Sequence, residues 1–304
     1  GVQRPEQALA ANLVLNISNA VLCVLLGWTL AFGVAGVGAA TAIANYLALA
    51  FGALQIWRVS QQLPWLAKEN SPTRPAIDWA LVFDAGKLSR MAALSGNIFF
   101  RSVCLMFIVT DFTALSAKLG PSALAANNLL MQMQMLISFG ADGFANAAAA
   151  MVGEAVGRGR PRQVRTVLLA ALRWAAALGL GFTVVFVLFG RLILGALTWH
   201  GEVVAYAADY LPWQWAAPLL SVTAYLMDGV FVGATRPREM RDATFLALLA
   251  FAVFGHSSLA RGSNNWLWAA FLLHVVIRAA ALLCWYPRVE AAAGRLPCQP
   301  LLAA

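Results

Sequence analysis

Apolar runs of 20 or more residues recur along the whole chain, and nothing in the sequence constrains its fold more tightly. A run of that length matches the ~30 Å hydrocarbon layer of a bilayer rather than the face of a core helix. Hydropathy windows of about 19 residues place spans near 9–31, 38–57, 93–117, 121–150, 166–189, 203–234, 243–259 and 266–286. The fold class is therefore an all-α polytopic membrane protein with about eight transmembrane helices. Composition agrees: of 304 residues 61% are hydrophobic and 11% charged, against about 25% charged in soluble domains. The span at 203–234 exceeds what a straight crossing needs and contains Pro212 and Pro218, so a kink is expected there.

The net charge of +8 could suggest a nucleic-acid partner, but the basic residues fall between spans and form no face on a soluble module. Arg4, then Arg58, Lys68, Arg74, Lys87 and Arg90, then Arg158, Arg160, Arg162 and Arg165, then Arg236, Arg238 and Arg241, then Arg288 and Arg295 occupy alternate connections. The opposite connections hold Lys118, Arg191 and Arg261. Fifteen against three makes the first side cytoplasmic, with both chain ends inside. Residues 59–91 stand apart, with Pro64, Pro72 and Pro75, and read as a cytoplasmic linker; Ile77 to Leu88 suits a short helix on the membrane surface.

Ionisable groups at bilayer depth are costly and are functional candidates. Arg101, Asp111, Asp142, Asp228 and Arg278 qualify. Arg101 and Asp111 are about 15 Å apart along one helix, so each must look to another helix. Asp142-Gly143 and Asp228-Gly229 pair a carboxylate with a residue that permits close backbone approach. They read either as a proton- or cation-binding site or as structural carboxylates, one pairing with Arg101. Asp111 lies nearer the outer end, and Arg278, within two turns of the cytoplasmic end, is expected to snorkel. Asn127, Asn128, Gln132, Gln134 and Asn146, interleaved with Met131, Met133 and Met135, could form an adaptable substrate wall; ordinary interhelical hydrogen bonding is the competing account. Trp213, Trp215 and Tyr225 could stack on a cationic substrate, or sit at the interface. Asn16 and Asn19 are similarly open.

Gly153 and Gly157, and Gly229 and Gly233, match the GxxxG helix-packing spacing. His200, His256 and His274 lack paired ligand spacing, Cys23, Cys104, Cys284 and Cys298 show no CxxC, and there is no GxSxG or Walker lysine. The expectation is no enzyme, no metal and no cofactor. No cleavable signal peptide is evident before the first run.

The block Tyr225-Leu-Met-Asp228-Gly229-Val-Phe-Val-Gly233-Ala-Thr-Arg236-Pro-Arg-Glu239-Met240-Arg241 resembles the tenth span and following loop of the multidrug and toxic compound extrusion (MATE) family, DinF-type branch. Asn97 to Gly120, with Arg101-Ser102, is similar to that branch's seventh span, and Asp142-Gly143-Phe-Ala145 to its eighth. Residues 5–57, with Asn16-Ile-Ser-Asn19, resemble the fifth and sixth. The resemblance implies spans 5–12 of a twelve-helix antiporter of two lobes related by a pseudo-twofold, the first four spans lying outside the chain. Residues 1–58 would be the last two helices of the N-terminal lobe, 59–91 the interlobe linker, 92–290 the six-helix C-terminal lobe and 291–304 a cytoplasmic tail. Two positions depart from the pattern: Cys23 stands where the branch tends to carry Asp, and Ala149 where it has Glu.

The implied function is a secondary antiporter of a bacterial inner membrane, monomeric when full length, that exports amphipathic or cationic organic compounds in exchange for protons or sodium. Asp142, Asp228 and Arg101, which match positions of the resembled family, and Asp111, an addition to its pattern, are the candidates for ion coupling. Gln134, Asn146, Met131, Met135, Tyr225 and Asn19 are the candidates for the substrate cavity. Gly143, Gly229, Gly233, Pro212 and Pro218 are the candidates for helix breaks and close packing. Two other functions compete: a flippase for lipid-linked precursors from the same superfamily, and a transport-incompetent membrane fragment.

Overall fold

A computed structural model of the chain describes residues 5–29, 32–62 and 83–295, which are helical nearly throughout, with no strand among them. It divides into two compact units, Gly1–Phe83 and Asp84–Ala304. In the first, α1 (Pro5–Leu22) runs into a π-helical stretch, Cys23–Thr29, and α2 (Gly33–Gln62) packs back along it. Gly33 starts α2 with φ 56°, a left-handed conformation that glycine adopts without strain.

The second unit contains α3 (Ala85–Lys118), α4 (Pro121–Gly157), α5 (Pro161–Leu197), α6 (Gly201–Ala208), α7 (Leu211–Gly233), α8 (Pro237–Arg261), α9 (Asn264–Trp285) and α10 (Pro287–Arg295). Local chemistry sets these boundaries. Asp84 caps α3, its carboxylate accepting from the backbone N–H groups of Gly86 at 2.8 Å and Lys87 at 3.1 Å. Pro121, Pro161 and Pro212 sit in the first turns of α4, α5 and α7, where a missing N–H costs nothing.

Seven of the described helices carry an apolar stretch long enough to cross a bilayer: α1, α2, α3, α4, α5, α7 and α9. The eighth predicted span is α8, 25 residues long. Arg238 to Asp242 at one end and His256-Ser257 toward the other shorten its uninterrupted apolar stretch. It packs along both α3 and α9, and Ala243, Ala247 and Phe251 are fully buried.

Two expectations are corrected. The span at 203–234 is not one kinked helix: it breaks at Asp209 and Tyr210 into α6 and α7, with Pro212 beginning α7 and only Pro218 inside it. Residues 85–91, placed in the linker, form the first two turns of α3 once Asp84 caps it; the rest of the surface helix predicted over 77–88 lies outside the described residues. The first residues after 290 complete a further helix, α10, whose Val289 and Ala293 are buried against neighbouring helices.

Within the second unit α7 is central, packing on α4, α5 and α9. Phe112, Trp268 and Phe271 form an edge-to-face aromatic cluster between α3 and α9, with ring centroids 5.0 to 5.6 Å apart. Beside it Asn127 donates to Ser116 Oγ at 2.8 Å and Asn264 Oδ1 at 2.7 Å, and accepts from Trp268 Nε1 at 2.8 Å. Asn127 therefore joins α3, α4 and α9 as an interhelical knot.

A candidate ion-coupling site

Where α4 and α7 meet, glycine lets the backbones touch. A Cβ on Gly229 would lie 2.1 Å from the Ala145 carbonyl oxygen, and one on Gly233 would lie 2.3 Å from that of Ala149. Gly153 continues the seam, since a Cβ there would lie 3.3 Å from the Gly233 carbonyl oxygen. Gly143 and Gly157 approach nothing within 4 Å, so the Asp-Gly pairs differ: close packing belongs to Gly229 and not to Gly143. Ala149 supplies a backbone surface to this seam.

The seam presents Asp228 to two cations. Asp228, only 6% exposed, accepts from Arg101 Nη2 of α3 at 2.5 Å and lies 3.8 Å from Arg278 Nη2 of α9. Asp142, on the exposed side of α4, interacts electrostatically with both Asp228 and Arg101. Arg278 also stands over the Tyr225 ring at 5.3 Å. One turn before it, His274 is buried with its ring against Phe271 at 4.7 Å. Asp228 Oδ1, Arg101 Nε, Arg278 Nε and His274 Nδ1 are all buried without a hydrogen-bond partner among the described residues. Four helices thus converge on a polar centre with unused hydrogen-bonding capacity, in surroundings where each such group is costly.

Arg278 overturns the snorkelling expectation: at 3% exposure it turns inward, drawn by the Asp228 charge and the Tyr225 face. Its partner is 50 residues away on another helix, so helical spacing could not reveal the pair. Asp111 is elsewhere, on the seam between α3 and α8, 3.6 Å from His256 Nδ1. Arg101 and Asp111 thus each look to another helix, but to different ones.

The other candidates scatter. Gln134 is buried and donates to Ser221 Oγ at 2.9 Å. Met131 is half-buried, and Met135 and Asn146 are exposed on α4. Trp213 donates to Asn265 Oδ1 at 2.8 Å and Trp215 to the Phe186 carbonyl at 3.2 Å, so both indoles are committed to neighbouring helices. Asn19 lies in the first unit, accepting from Cys23 Sγ at 3.0 Å and donating to Thr41 Oγ1 at 3.5 Å. Cys23 there bonds a neighbour and supplies no carboxylate.

The model of the MatE family matches residues 98–256, which include Arg101, Asp142 and Asp228. The DNA damage-inducible protein F of Escherichia coli K12 is 33% identical over 95% of this chain and 60% of its own length. A probable multidrug resistance protein NorM of Bradyrhizobium diazoefficiens is 30% identical over 85% of this chain and 54% of its own length. The Arabidopsis thaliana protein DETOXIFICATION 44, chloroplastic, is 25% identical over 72% of this chain and 39% of its own. A solved Vibrio cholerae MATE transporter superposes with a TM-score of 0.80 at 16% identity, covering 92% of this chain and 61% of that one. A Pyrococcus furiosus transporter of the MOP superfamily, described as having a binding pocket of reversed polarity, gives 0.76 at 16% identity over 94% and 63%. These two likenesses concern the fold. The chain spans about 60% or less of the length of the curated relatives named here.

Proposed function

Because the chain belongs to the MatE family of multi-span membrane transporters, we propose that the full-length protein is a secondary antiporter exporting amphipathic, often cationic organic compounds in exchange for protons or sodium. The observation that carries this reading is the buried charge cluster in which Asp228 joins Arg101 of α3 to Arg278 of α9, with Asp142 alongside. A proton or cation that neutralises Asp228 weakens what binds α3 and α9 to α7. An ion taken up there thus biases one helix arrangement against another, which is what alternating access requires. Asp142, on the exposed side of α4, is the carboxylate placed to meet a cation entering from a cavity. The fifteen-to-three distribution of basic residues supports an inner-membrane protein with its arginine-rich end in the cytoplasm.

The test is proton-driven dye efflux by the full-length protein carrying Asp142→Asn, Asp228→Asn or both. Loss in at least one single variant is expected, and parental efflux in all three would remove the carboxylates from the mechanism. Imposing sodium and proton gradients separately on proteoliposomes identifies the coupling ion.

Arg278 lends weight to the lipid-linked flippase reading, because the deep arginines now number two. Arg278→Gln separates the alternatives. A flippase of anionic precursors loses its substrate with the charge, whereas an exporter of cations keeps or gains cation binding.

A further inference from the structure

We propose that the groove between α3 and α8 at the arginine-rich end of the second unit binds the headgroup of an anionic phospholipid, with an acyl chain lying along the two helices. The groove, about 750 Å³, is polar at one end, where Asn97, Arg238, Arg241 and Asp242 line it, and apolar at the other, where Phe100 and Phe245 do. It adjoins a chamber of about 290 Å³ lined by Arg90, Arg236, Arg238 and Glu239.

The charges do not cancel. Arg241 is engaged by Asp242 at 2.7 Å and Asn97 Oδ1 at 2.8 Å, and Arg236 by Glu239 at 3.1 Å and the Arg288 carbonyl at 2.5 Å. Arg90 and Arg238 are exposed and have no ion-pair or hydrogen-bond partner among the described residues. Two guanidinium groups facing one chamber match the non-bridging oxygens of a phosphodiester, which each can bind through paired N–H donors. Basic pockets between transmembrane helices are where such headgroups lodge.

The apolar end decides for a lipid over a free phosphate ester. The Phe100 and Phe245 rings lie 6.1 Å apart at the junction. Beyond them Val103 and Phe107 on α3, and Leu249 and Val253 on α8, are exposed large hydrophobics. From Arg241 to Val253 the helix rises about 18 Å, close to one leaflet of a ~30 Å hydrocarbon layer. A charged head at one end and an aliphatic track of one leaflet's depth describe a phospholipid. The site is independent of the transport reading and requires only a bilayer.

The test is native mass spectrometry of the full chain released from micelles containing phosphatidylglycerol or phosphatidylcholine, with water-soluble glycerol phosphate as a competitor. The parent is expected to retain phosphatidylglycerol on the order of tenfold over phosphatidylcholine. The Arg90→Gln/Arg238→Gln variant is expected to lose that preference, while Arg160→Gln/Arg162→Gln, at the same end outside the groove, keeps it. Both altered pairs are exposed, and unchanged thermal unfolding shows that the fold is intact. Equal retention of the two lipids by the parent, or full preference in Arg90→Gln/Arg238→Gln, overturns the assignment. Displacement of phosphatidylglycerol by glycerol phosphate overturns it too, making the ligand a soluble phosphate ester.

Discussion

Replacing Gly229 by alanine tests whether the α4–α7 seam is what positions Asp228. The new methyl would sit 2.1 Å from the Ala145 carbonyl oxygen and 2.8 Å from its Cα. Both partners are backbone atoms of long helices and cannot rotate aside. Restoring an ordinary contact near 3.4 Å requires the helices to part locally by roughly 1 Å, and overpacking of this kind costs about 1–3 kcal/mol. Alanine returns at most about 1 kcal/mol of helix propensity. Gly143→Ala supplies the internal control, because its added methyl meets nothing within 4 Å on the same pair of helices. It should be neutral or slightly stabilising. The propensity gain is common to both, so the two variants should differ by the overpacking cost alone, about 1–3 kcal/mol, or on the order of 2–12 °C in unfolding temperature for a unit of this size. Thermal unfolding in one detergent, followed by intrinsic tryptophan fluorescence, measures the difference. Equal unfolding temperatures for Gly229→Ala and Gly143→Ala would refute the argument, since nothing but the close approach separates them.

Other predictions follow from the polar contacts. Arg101→Met should destabilise the second unit by about 3–5 kcal/mol by leaving Asp228 only the more distant Arg278, and Arg101→Met/Asp228→Met should not recover that loss in denaturant unfolding, because it strands the buried Arg278. Asn127→Ala should cost about 1–2 kcal/mol by opening the knot with Ser116, Asn264 and Trp268, and the exposed neighbour change Asn128→Ala should stay within about 0.5 kcal/mol. A double-mutant cycle on Asp111 and His256, 3.6 Å apart, should give a coupling of about 0.5–1 kcal/mol; additivity would mean that the two do not interact.

What could be read from the sequence, and what could not, divides along physical lines. The crossings were legible because bilayer depth writes itself into each segment, and all of the eight but 203–234 fall where hydropathy placed them, α3 and α8 lengthened by a turn or more of polar helix. The span at 203–234 broke because Asp209 and Tyr210 interrupt it, a local event that a window of 19 residues averages away. Asp228 and Gly229 were legible as a pair because their neighbours in sequence matter. Arg278 was not, because its reason for being buried sits on α7, and neither residue's surroundings in sequence mention the other. Gly143 and Gly229 look identical in sequence; only the helix opposite distinguishes them. The polar residues on α4 sorted by helix face: Asn127 and Gln134 turn inward to hydrogen bonds, and Asn146 turns outward.

Pro218 gives α7 a mechanical character. It lacks the N–H that would bond the Gln214 carbonyl, and Gln214 is itself fully buried with both side-chain amide atoms unpartnered among the described residues. On one side of this joint, Trp213 and Trp215 bolt α7 to Asn265 and to the Phe186 carbonyl. On the other, Gly229 and Gly233 clamp it to α4. The joint therefore separates a fixed mount from a lever arm seated on α4, which the Asn127 bonds to Ser116 and Asn264 tie in turn to α3 and α9. Asp228 is ten residues, about 15 Å, along that arm, so a swing of 10° carries it roughly 2.5 Å. A bend at Pro218 thus changes the reach of Asp228 to the guanidinium groups on α3 and α9.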